Sequence, residues 1–351
     1  LVILIKIKQH KMYRKTITIA LLLFLSLNSF AQQDGVKEKE EYYAKKKKMM
    51  EIPSPTSINQ IEDGDSRLIN ILPGVYYFEG NYNMGVYLVE DDLTLIDTQE
   101  EEKMSRNLNI IERINKKASV KYLISTSNEL KALKTTKDLK TDGVILISKR
   151  LTEENQLKQK QVGESGFSGS FKPDFSFTEQ LNLNIETKTI EIASINNEGN
   201  SIVYLPNENV LFTGAVYTHK KYPYLDYKNG VTIESILRDI SKITDFVDEN
   251  TIIVPGKGTL ANILDLINYQ KVMTNIIKQL VIMIKNGNTL ETVLAKKSII
   301  NNLDSRGFGD GSVTTEMFLT SLYEELTYQL GPVDTRSPEE RAMERLKEMQ
   351  K

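Results

Sequence analysis

Two stretches of this chain show the same order, a block of short strands followed by helical segments, and this repetition restricts the fold more than any other feature. In the first stretch, β-branched and aromatic runs are separated by turn-forming residues, which is typical of an antiparallel meander. Helical spacing and further short apolar runs then alternate. The first stretch predicts strands at 75–78, 85–89, 93–96, 120–125 and 144–148, and helices at 100–116 and 128–139.

The second stretch follows a glycine-containing polar segment at 151–172, which is typical of a mobile loop or lid. It predicts strands at 181–185, 189–195, 201–205, 210–213 and 251–254, and a helix at 233–246. From residue 260 onward apolar residues recur at helical spacing, so 260–330 is predicted to be a C-terminal helical part. Two such halves predict an α/β fold with two sheets between helical layers, a four-layer αββα sandwich.

The N-terminal residues 1–31 predict a targeting signal. Two basic residues, Arg14 and Lys15, precede an apolar run at 17–27, and small or polar residues follow before Gln32. The apolar run is shorter than the roughly 20 residues that span a bilayer, which favours a cleaved signal peptide starting at Met12 over a membrane anchor. We therefore expect export to the periplasm or the extracellular space, with no transmembrane span in the mature chain.

Charged segments flank the predicted domain, which covers 71–330. Residues 32–70 are rich in charge and poor in large apolar side chains, so they predict a linker or a loosely held helix, with order beginning near Ile69. A lysine run at 45–48 indicates either a solvated face or contact with anionic lipid or a partner. The tail at 331–351 carries a helix-capping signature at Ser337 and predicts a short helix.

Composition limits the chemistry strongly. The 351 residues include no cysteine and two histidines, His10 and His219. Without cysteine, disulfides, thiolate metal sites and cysteine nucleophiles are excluded. His10 precedes the predicted cleavage site, so the mature chain has one histidine. The formal net charge is -2, with acidic and basic residues interspersed, and we expect no nucleic-acid partner.

A resemblance to a known family rests on six segments: 80–86 (GNYNMGV), 91–99 (DDLTLIDTQ), 204–214 (YLPNENVLFTG), 222–226 (YPYLD), 254–258 (VPGKG) and 303–311 (LDSRGFGDG). In order and spacing they are similar to metallo-β-lactamase-fold hydrolases of the exported bacterial type. The second segment resembles the family's strand that ends in a structural aspartate, here Asp97, and the fifth resembles its proline-glycine-histidine-glycine loop. The resemblance implies the same αββα fold.

The resemblance also implies where metal ligands would lie. The family holds zinc with a His-x-His-x-Asp-His motif, a later histidine, a bridging aspartate and a final histidine. These positions fall on Ser127, Glu129, Lys131, Ala132, Asn196, Ala215 and Lys257. Only Glu129 carries a strong metal ligand. We therefore expect no zinc, no other cofactor and no hydrolysis by the family mechanism, and we expect His219 to be a lone exposed histidine.

The replaced positions leave two interpretations open. Lys131 and Lys257, facing Glu129, would place positive charge where the metal stands in the family. The three side chains then form either an anion-binding pocket or an ion-pair network that fills the site. Nearby tyrosines either form the rim of a binding cleft or pack their loop onto the domain. They are Tyr217, Tyr222, Tyr224 and Tyr227.

The sequence favours a non-catalytic pseudo-hydrolase that binds a small molecule or an envelope protein through the former active-site cleft. One alternative is a divergent hydrolase with a new arrangement, in which Glu129 is a base or a weak metal ligand. A second alternative is a purely structural envelope protein.

Overall fold

The computed structural model describes residues 60–127, 133–150, 173–196, 199–300, 303–331 and 343. These residues belong to a unit that extends from Ile58 to Lys351. Its strands are β1 (Gln60–Asp63), β2 (Ser66–Leu72), β3 (Val75–Phe78), β4 (Met84–Val89), β5 (Asp92–Ile96), β6 (Ser119–Ser125), β7 (Ile145–Lys149), β8 (Phe175–Phe177), β9 (Gln180–Ile185), β10 (Lys188–Ser194), β11 (Ser201–Leu205), β12 (Val210–Phe212) and β13 (Ile252–Val254). Its helices are α1 (Glu101–Glu112), α2 (Leu133–Thr141), α3 (Ile233–Thr244), α4 (Ile263–Lys285), α5 (Leu290–Ala295) and α6 (Thr315–Leu330).

The first sheet contains strands β1 to β8 in sequence order. Strands β1 to β5 pair antiparallel, and β5 to β8 pair parallel. Helix α1 connects β5 to β6, and α2 connects β6 to β7, as parallel pairs require. The β2–β3 turn needs Gly74, whose φ is +82° and whose added Cβ would lie 2.7 Å from the Leu88 carbonyl oxygen. The predicted antiparallel meander is confirmed.

The second sheet has the order β13-β12-β11-β10-β9. Its strands pair antiparallel except for β12 and β13, which are parallel and are connected through α3. The carboxyl ends of β5 and β6 in the first sheet, and of β12 and β13 in the second, are followed by the loops that form the candidate site.

Three apolar clusters hold the layers together. Residues of both sheets, such as Ile124 and Val203, form one cluster between the sheets. The outer face of the first sheet packs on α1 through residues such as Met104. The outer face of the second sheet packs on α3, α4 and α6, with Ile240 among the enclosed residues. The described part of the chain therefore has the predicted αββα layering.

The predicted linker at 32–70 is wrong in its last residues, because β1 and β2 form an antiparallel pair there. Leu68 packs toward α1 and Ile69 packs between the sheets, so both faces of β2 are covered. Arg67 contributes an ion pair with Glu79 at 2.8 Å. Because consecutive apolar residues point to opposite faces of β2, its sequence SRLINIL lacks the alternation that indicates a half-buried strand.

Several predictions lie outside the described residues: the signal peptide at 1–31, most of the linker, the loop at 151–172 and nearly all of the tail at 331–351. The start of the predicted helix at 128–139 also lies outside, and its described part is α2. Within the described residues, none of the helices combines the length and apolar character that crossing a membrane requires.

Candidate functional site

A cleft of about 1250 Å³ opens where the strands β5, β6, β12 and β13 end. In sheets with parallel strands, the loops after the carboxyl ends commonly form the ligand site, because the backbone diverges there. Segments from both sheets, from the start of α3 and from the region before α6 contribute to the lining.

We call Asp97, Thr126, Gly214 and Gly256 the cleft floor, because these four residues line the cleft and contact one another tightly. Asp97 has a φ of 62° and accepts hydrogen bonds from the Thr126 amide at 2.8 Å and the Thr126 hydroxyl at 2.6 Å. A Cβ on Gly214 would lie 1.9 Å from the Thr126 hydroxyl oxygen. A Cβ on Gly256 would lie 2.1 Å from the Gly214 carbonyl oxygen. Both positions therefore require glycine.

Asn83 fixes the loop that contains Gly256. Its side-chain amide donates to the carbonyl oxygens of Pro255 at 2.8 Å and Gly258 at 2.7 Å, and its backbone amide donates to Gly256 at 2.8 Å. The Asn83 side chain is buried, so these bonds are shielded from water. The first sheet and the loop after β13 are thus joined beside the cleft floor.

Four of the seven positions implied by the resemblance are described, and all four line the cleft: Ser127, Asn196, Ala215 and Lys257. We call them the lining positions. The structure brings together residues that are up to 130 positions apart in the sequence. The other three, Glu129, Lys131 and Ala132, lie outside the described residues, so the proposed cluster of two lysines and a glutamate stays a prediction.

Asn196 is held by several groups. Its side-chain amide donates to Asp239 Oδ2 at 2.6 Å, and its side-chain oxygen accepts from the Asn200 amide at 3.2 Å. The Lys149 ammonium donates to the Asn196 backbone carbonyl, and the Lys242 ammonium donates to the carbonyl of Ile195. Two lysines therefore hold the carbonyl groups of this loop in place.

Lys257 connects two sides of the cleft. Its ammonium lies 4.4 Å from the centroid of the Tyr82 ring and donates to the Ser312 hydroxyl at 3.3 Å. An ammonium over an aromatic face is attracted by the ring quadrupole. Where the family's loop carries a histidine, this chain places a cation between an aromatic ring and a hydroxyl group.

Some of the four tyrosines pack their loop onto the domain, and others lie at the cleft rim. Tyr217 is 1% exposed, packs edge-on against Tyr269 at 5.4 Å and does not line the cleft, so the rim interpretation is wrong for it. Tyr222 touches the cleft but is mostly buried, stacked on Phe318 at 4.6 Å. Burial and the nearby Asp304 carboxylate raise the pKa of Tyr222.

Tyr224 is 63% exposed and lines the cleft, as a rim residue would. Tyr227 packs against the exposed Tyr328 at 5.4 Å and does not line the cleft. Of the four tyrosines, Tyr224 therefore matches the rim interpretation best.

His219 is buried, and the expectation of an exposed histidine is wrong. Its Nδ1 donates to the Thr259 carbonyl at 2.9 Å, and its Nε2 lies 3.6 Å from Asp265 Oδ1. Burial acts to raise the pKa of Asp265, but His219, the Asn262 amide and the charge of Lys220 together outweigh it, so that pKa is lowered. The ring is a structural bridge from the loop after Ala215 to the start of α4.

Sequence reasoning missed three polar groups of the cleft. Thr98 Oγ1, Glu100 Oε2 and Asp239 Oδ1 are enclosed, belong to residues that line the cleft, and have no hydrogen-bond partner among the described residues. A signal for Asp239 was present, since it lies three residues after Ile236 and next to Ile240 on the inward face of a strongly amphipathic helix.

The residues at the lining positions do not fit zinc, because zinc requires several nitrogen, oxygen or sulfur ligands. Ala215 offers a methyl group, and Lys257 offers an ammonium, a hydrogen-bond donor with no free electron pair. Across the described part of the chain, no group of three or more His, Cys, Asp or Glu side chains is arranged to hold a metal ion.

The chain is similar to solved structures in its fold, whereas its sequence matches no family model and no curated protein. The inverting sec-alkylsulfatase Pisa1 from Pseudomonas sp. superimposes with a TM-score of 0.58 at 14% identity over 76% of this chain and 52% of that chain. This chain therefore spans about half the length of the alkylsulfatase.

Two shorter solved structures are covered almost completely by the superposition. A metallo-β-lactamase from Pontibacter korlensis superimposes with a TM-score of 0.46 at 17% identity over 62% of this chain and 100% of that chain. VMB-1 superimposes with a TM-score of 0.48 at 18% identity over 61% of this chain and 98% of that chain. The chain has the metallo-β-lactamase fold, with two sheets between helical layers.

Proposed function

We propose that this chain is an exported, non-catalytic metallo-β-lactamase-fold protein that binds a small ligand or an envelope partner through its cleft. The observation that carries the proposal is the contrast at the cleft itself. The lining positions Ser127, Asn196, Ala215 and Lys257 surround one open space, yet none of them carries a side chain suited to zinc.

The cleft floor supports a binding role, because it keeps the cleft in a fixed shape. Gly214 and Gly256 are packed so closely that the loops after β12 and β13 cannot shift independently. A preformed concave surface with a few polar groups is the usual form of a small-molecule site. Binding needs only this shape, whereas hydrolysis also needs an acid, a base or a metal within reach of the substrate.

A divergent hydrolase is the second candidate, with Glu129 as a base or a weak metal ligand. Two observations favour it over other enzymes. The fold is similar to that of a sec-alkylsulfatase, and Asp97 fixes Thr126 immediately before the segment that contains Glu129. A purely structural envelope role is the third candidate and requires no ligand in the cleft.

Zinc content separates the first two candidates. The purified mature chain is exposed to excess zinc, dialysed and analysed by inductively coupled plasma mass spectrometry. We expect less than about 0.1 equivalent, because a zinc site of this fold binds tightly enough to survive dialysis. About one equivalent would favour the hydrolase.

Activity assays complete that test. The same samples are assayed for hydrolysis of nitrocefin and of 2-octyl sulfate, and we expect none above the uncatalysed rate. Turnover that is lost in Glu129→Gln but retained in the neighbouring variant Asn128→Asp would establish the hydrolase and contradict the non-catalytic proposal.

A further inference from the structure

We propose that Asp239 is the specificity-determining residue of the cleft, accepting a hydrogen bond from a hydroxyl or amine group on a ligand whose remaining body is apolar. This inference rests on the proposed ligand-binding function and names the chemical class of the ligand. It is carried by the environment of Asp239, the apolar surface beside it and the charge of the lining.

The Asp239 carboxylate is enclosed but incompletely bonded. The residue is 4% exposed, and Oδ2 accepts from Asn196 at 2.6 Å. Oδ1 has no hydrogen-bond partner among the described residues. An enclosed acceptor without a partner is unusual in folded proteins, and a ligand or an ordered water normally supplies the missing donor.

Neighbouring cations balance the charge of Asp239 without completing its hydrogen bonds. Lys242 Nζ lies 3.7 Å from Oδ1, and Arg238 Nε lies 3.9 Å away. The Lys242 ammonium donates instead to the carbonyl of Ile195. Because Oδ1 is itself covered, a small movement of the Asp239 side chain toward the cleft is needed to present it to a ligand.

An apolar surface lies beside this acceptor. Ile236 precedes Asp239 by three residues on α3, so both side chains project from the same face of the helix, and both line the cleft. Val313 and Met317 also line the cleft, and Met317 is 50% exposed. With Tyr224, these side chains form a surface that gains stability when an apolar group covers it.

The charge of the lining disfavours an anionic ligand. Among the described lining residues, the acidic side chains outnumber the lysines by five to two. They are Glu79, Asp97, Glu100, Asp239 and Asp310, against Lys221 and Lys257. A ligand head that donates hydrogen bonds is therefore favoured over one that only accepts them.

Three probes with the same body test the inference: 3-phenylpropan-1-amine, 3-phenylpropan-1-ol and 3-phenylpropanoate. Their dissociation constants are measured at pH 7 by ligand-observed NMR on the full mature chain. We expect the amine or the alcohol to bind at least about tenfold more tightly than the carboxylate. The order of amine and alcohol identifies a cationic or a neutral donor, and either order supports the inference.

Asp239→Asn turns the free acceptor into a donor while keeping the shape of the side chain. We expect the preference for the donor probe over 3-phenylpropanoate to fall to about one or to reverse. Asp245→Asn is the matched control, an exposed acid just past the end of the same helix and outside the cleft lining. It should leave the preference unchanged, and circular dichroism melting checks that both variants are folded.

Met317→Ala reduces the apolar contact with the probes and leaves the Asp239 acceptor unchanged. It tests the cleft even if the Asp239 variant does not fold. It should weaken all three probes by a similar factor of about 3–10 and leave their ratio unchanged. The inference is overturned if wild type prefers the carboxylate, if Asp239→Asn retains the wild-type ratio, or if none of the probes binds. Carboxylate binding that Met317→Ala weakens would overturn the inference alone, since the cleft would still bind ligands.

Discussion

The cleft floor and two of the lining positions, Ala215 and Lys257, lie within one site, but their side chains differ in how tightly they are constrained. On the floor, Asp97 is bonded twice to Thr126, and two glycines leave no room for a Cβ. Of these two lining positions, Ala215 is exposed and the Lys257 side chain makes two weak contacts. The backbone that shapes a metallo-β-lactamase-fold cleft is thus kept by contacts separate from the side chains that would perform its chemistry.

Substitution of a cleft-floor glycine should cause the largest loss in the free energy of unfolding. In Gly256→Ala, the new Cβ would meet the Gly214 carbonyl oxygen at 2.1 Å, and this backbone atom has no freedom to move away. We expect a loss of about 4 kcal/mol or more in the free energy of unfolding, or failure to fold. Urea denaturation measures the effect.

The matched control is Gly143→Ala, where nothing lies within 4 Å of the added Cβ and only the φ of +91° is unfavourable. It should cost about 1–2 kcal/mol. Equal losses at the two glycines would contradict the steric account of the cleft floor.

Asp97→Ala should cause the next largest loss in the free energy of unfolding. It removes the acceptors for the Thr126 amide and hydroxyl, which stay enclosed, and leaves alanine at a positive φ. We expect a loss of about 2–4 kcal/mol in the free energy of unfolding. Asp97→Asn retains an acceptor and tolerates the positive φ, so it should lose about half as much. Urea titrations of both variants test this order.

Glu325 provides a buried carboxylate away from the cleft. It accepts from the Ile233 amide with both oxygens at 3.1 Å, and burial raises its pKa from 4.5 to about 7. Since the folded state holds the proton more tightly, this group stabilises the fold most below pH 4.5, and that stability is lost as pH rises through 7. The loss is about 1–3 kcal/mol.

Glu325→Gln tests that pH dependence, because glutamine can still accept from Ile233 but does not titrate. The difference in the free energy of unfolding between wild type and variant should shift in favour of the variant between pH 5 and pH 8. The free energy is measured by urea titration at each pH. A constant difference across this range would show that Glu325 keeps its ordinary pKa.

The smallest effect is expected at Lys257. Lys257→Gln removes a contact with the Tyr82 ring and a bond to the Ser312 hydroxyl, and we expect a change of about 0.5 kcal/mol or less in the free energy of unfolding. Thermal melting compares it with Lys278→Gln, a lysine on α4 outside the lining. A loss above about 2 kcal/mol would remove the distinction between floor and lining.

Much of the layered fold was predictable, because each half of the chain carries its own apolar pattern. The meander of β3 to β5 and the long helix α4 follow from spacing alone. The pair of β1 and β2 was missed, because a strand covered on both faces need not alternate when polar residues such as Asn70 form local bonds. The burial of Tyr217 and His219 depends on α4, which follows more than 40 residues later.

The site was predictable in position and less so in detail. The resemblance located Ser127, Asn196, Ala215 and Lys257, which do share one cleft. Asp239 was missed because its role depends on how α3 faces the loop that contains Asn196. The spacing of one helix reveals an inward-facing carboxylate, but the group it meets is determined by tertiary packing.

The two glycines of the floor have a consequence for protein engineering. Each immediately precedes a lining position, Ala215 or Lys257, so either side chain can be exchanged without disturbing the close backbone contact beside it. Histidine or aspartate introduced at these two positions would face a cleft whose backbone is already held in place by the two glycines. The chain therefore offers a scaffold in which ligand sets can be rebuilt stepwise and the onset of metal affinity followed one substitution at a time.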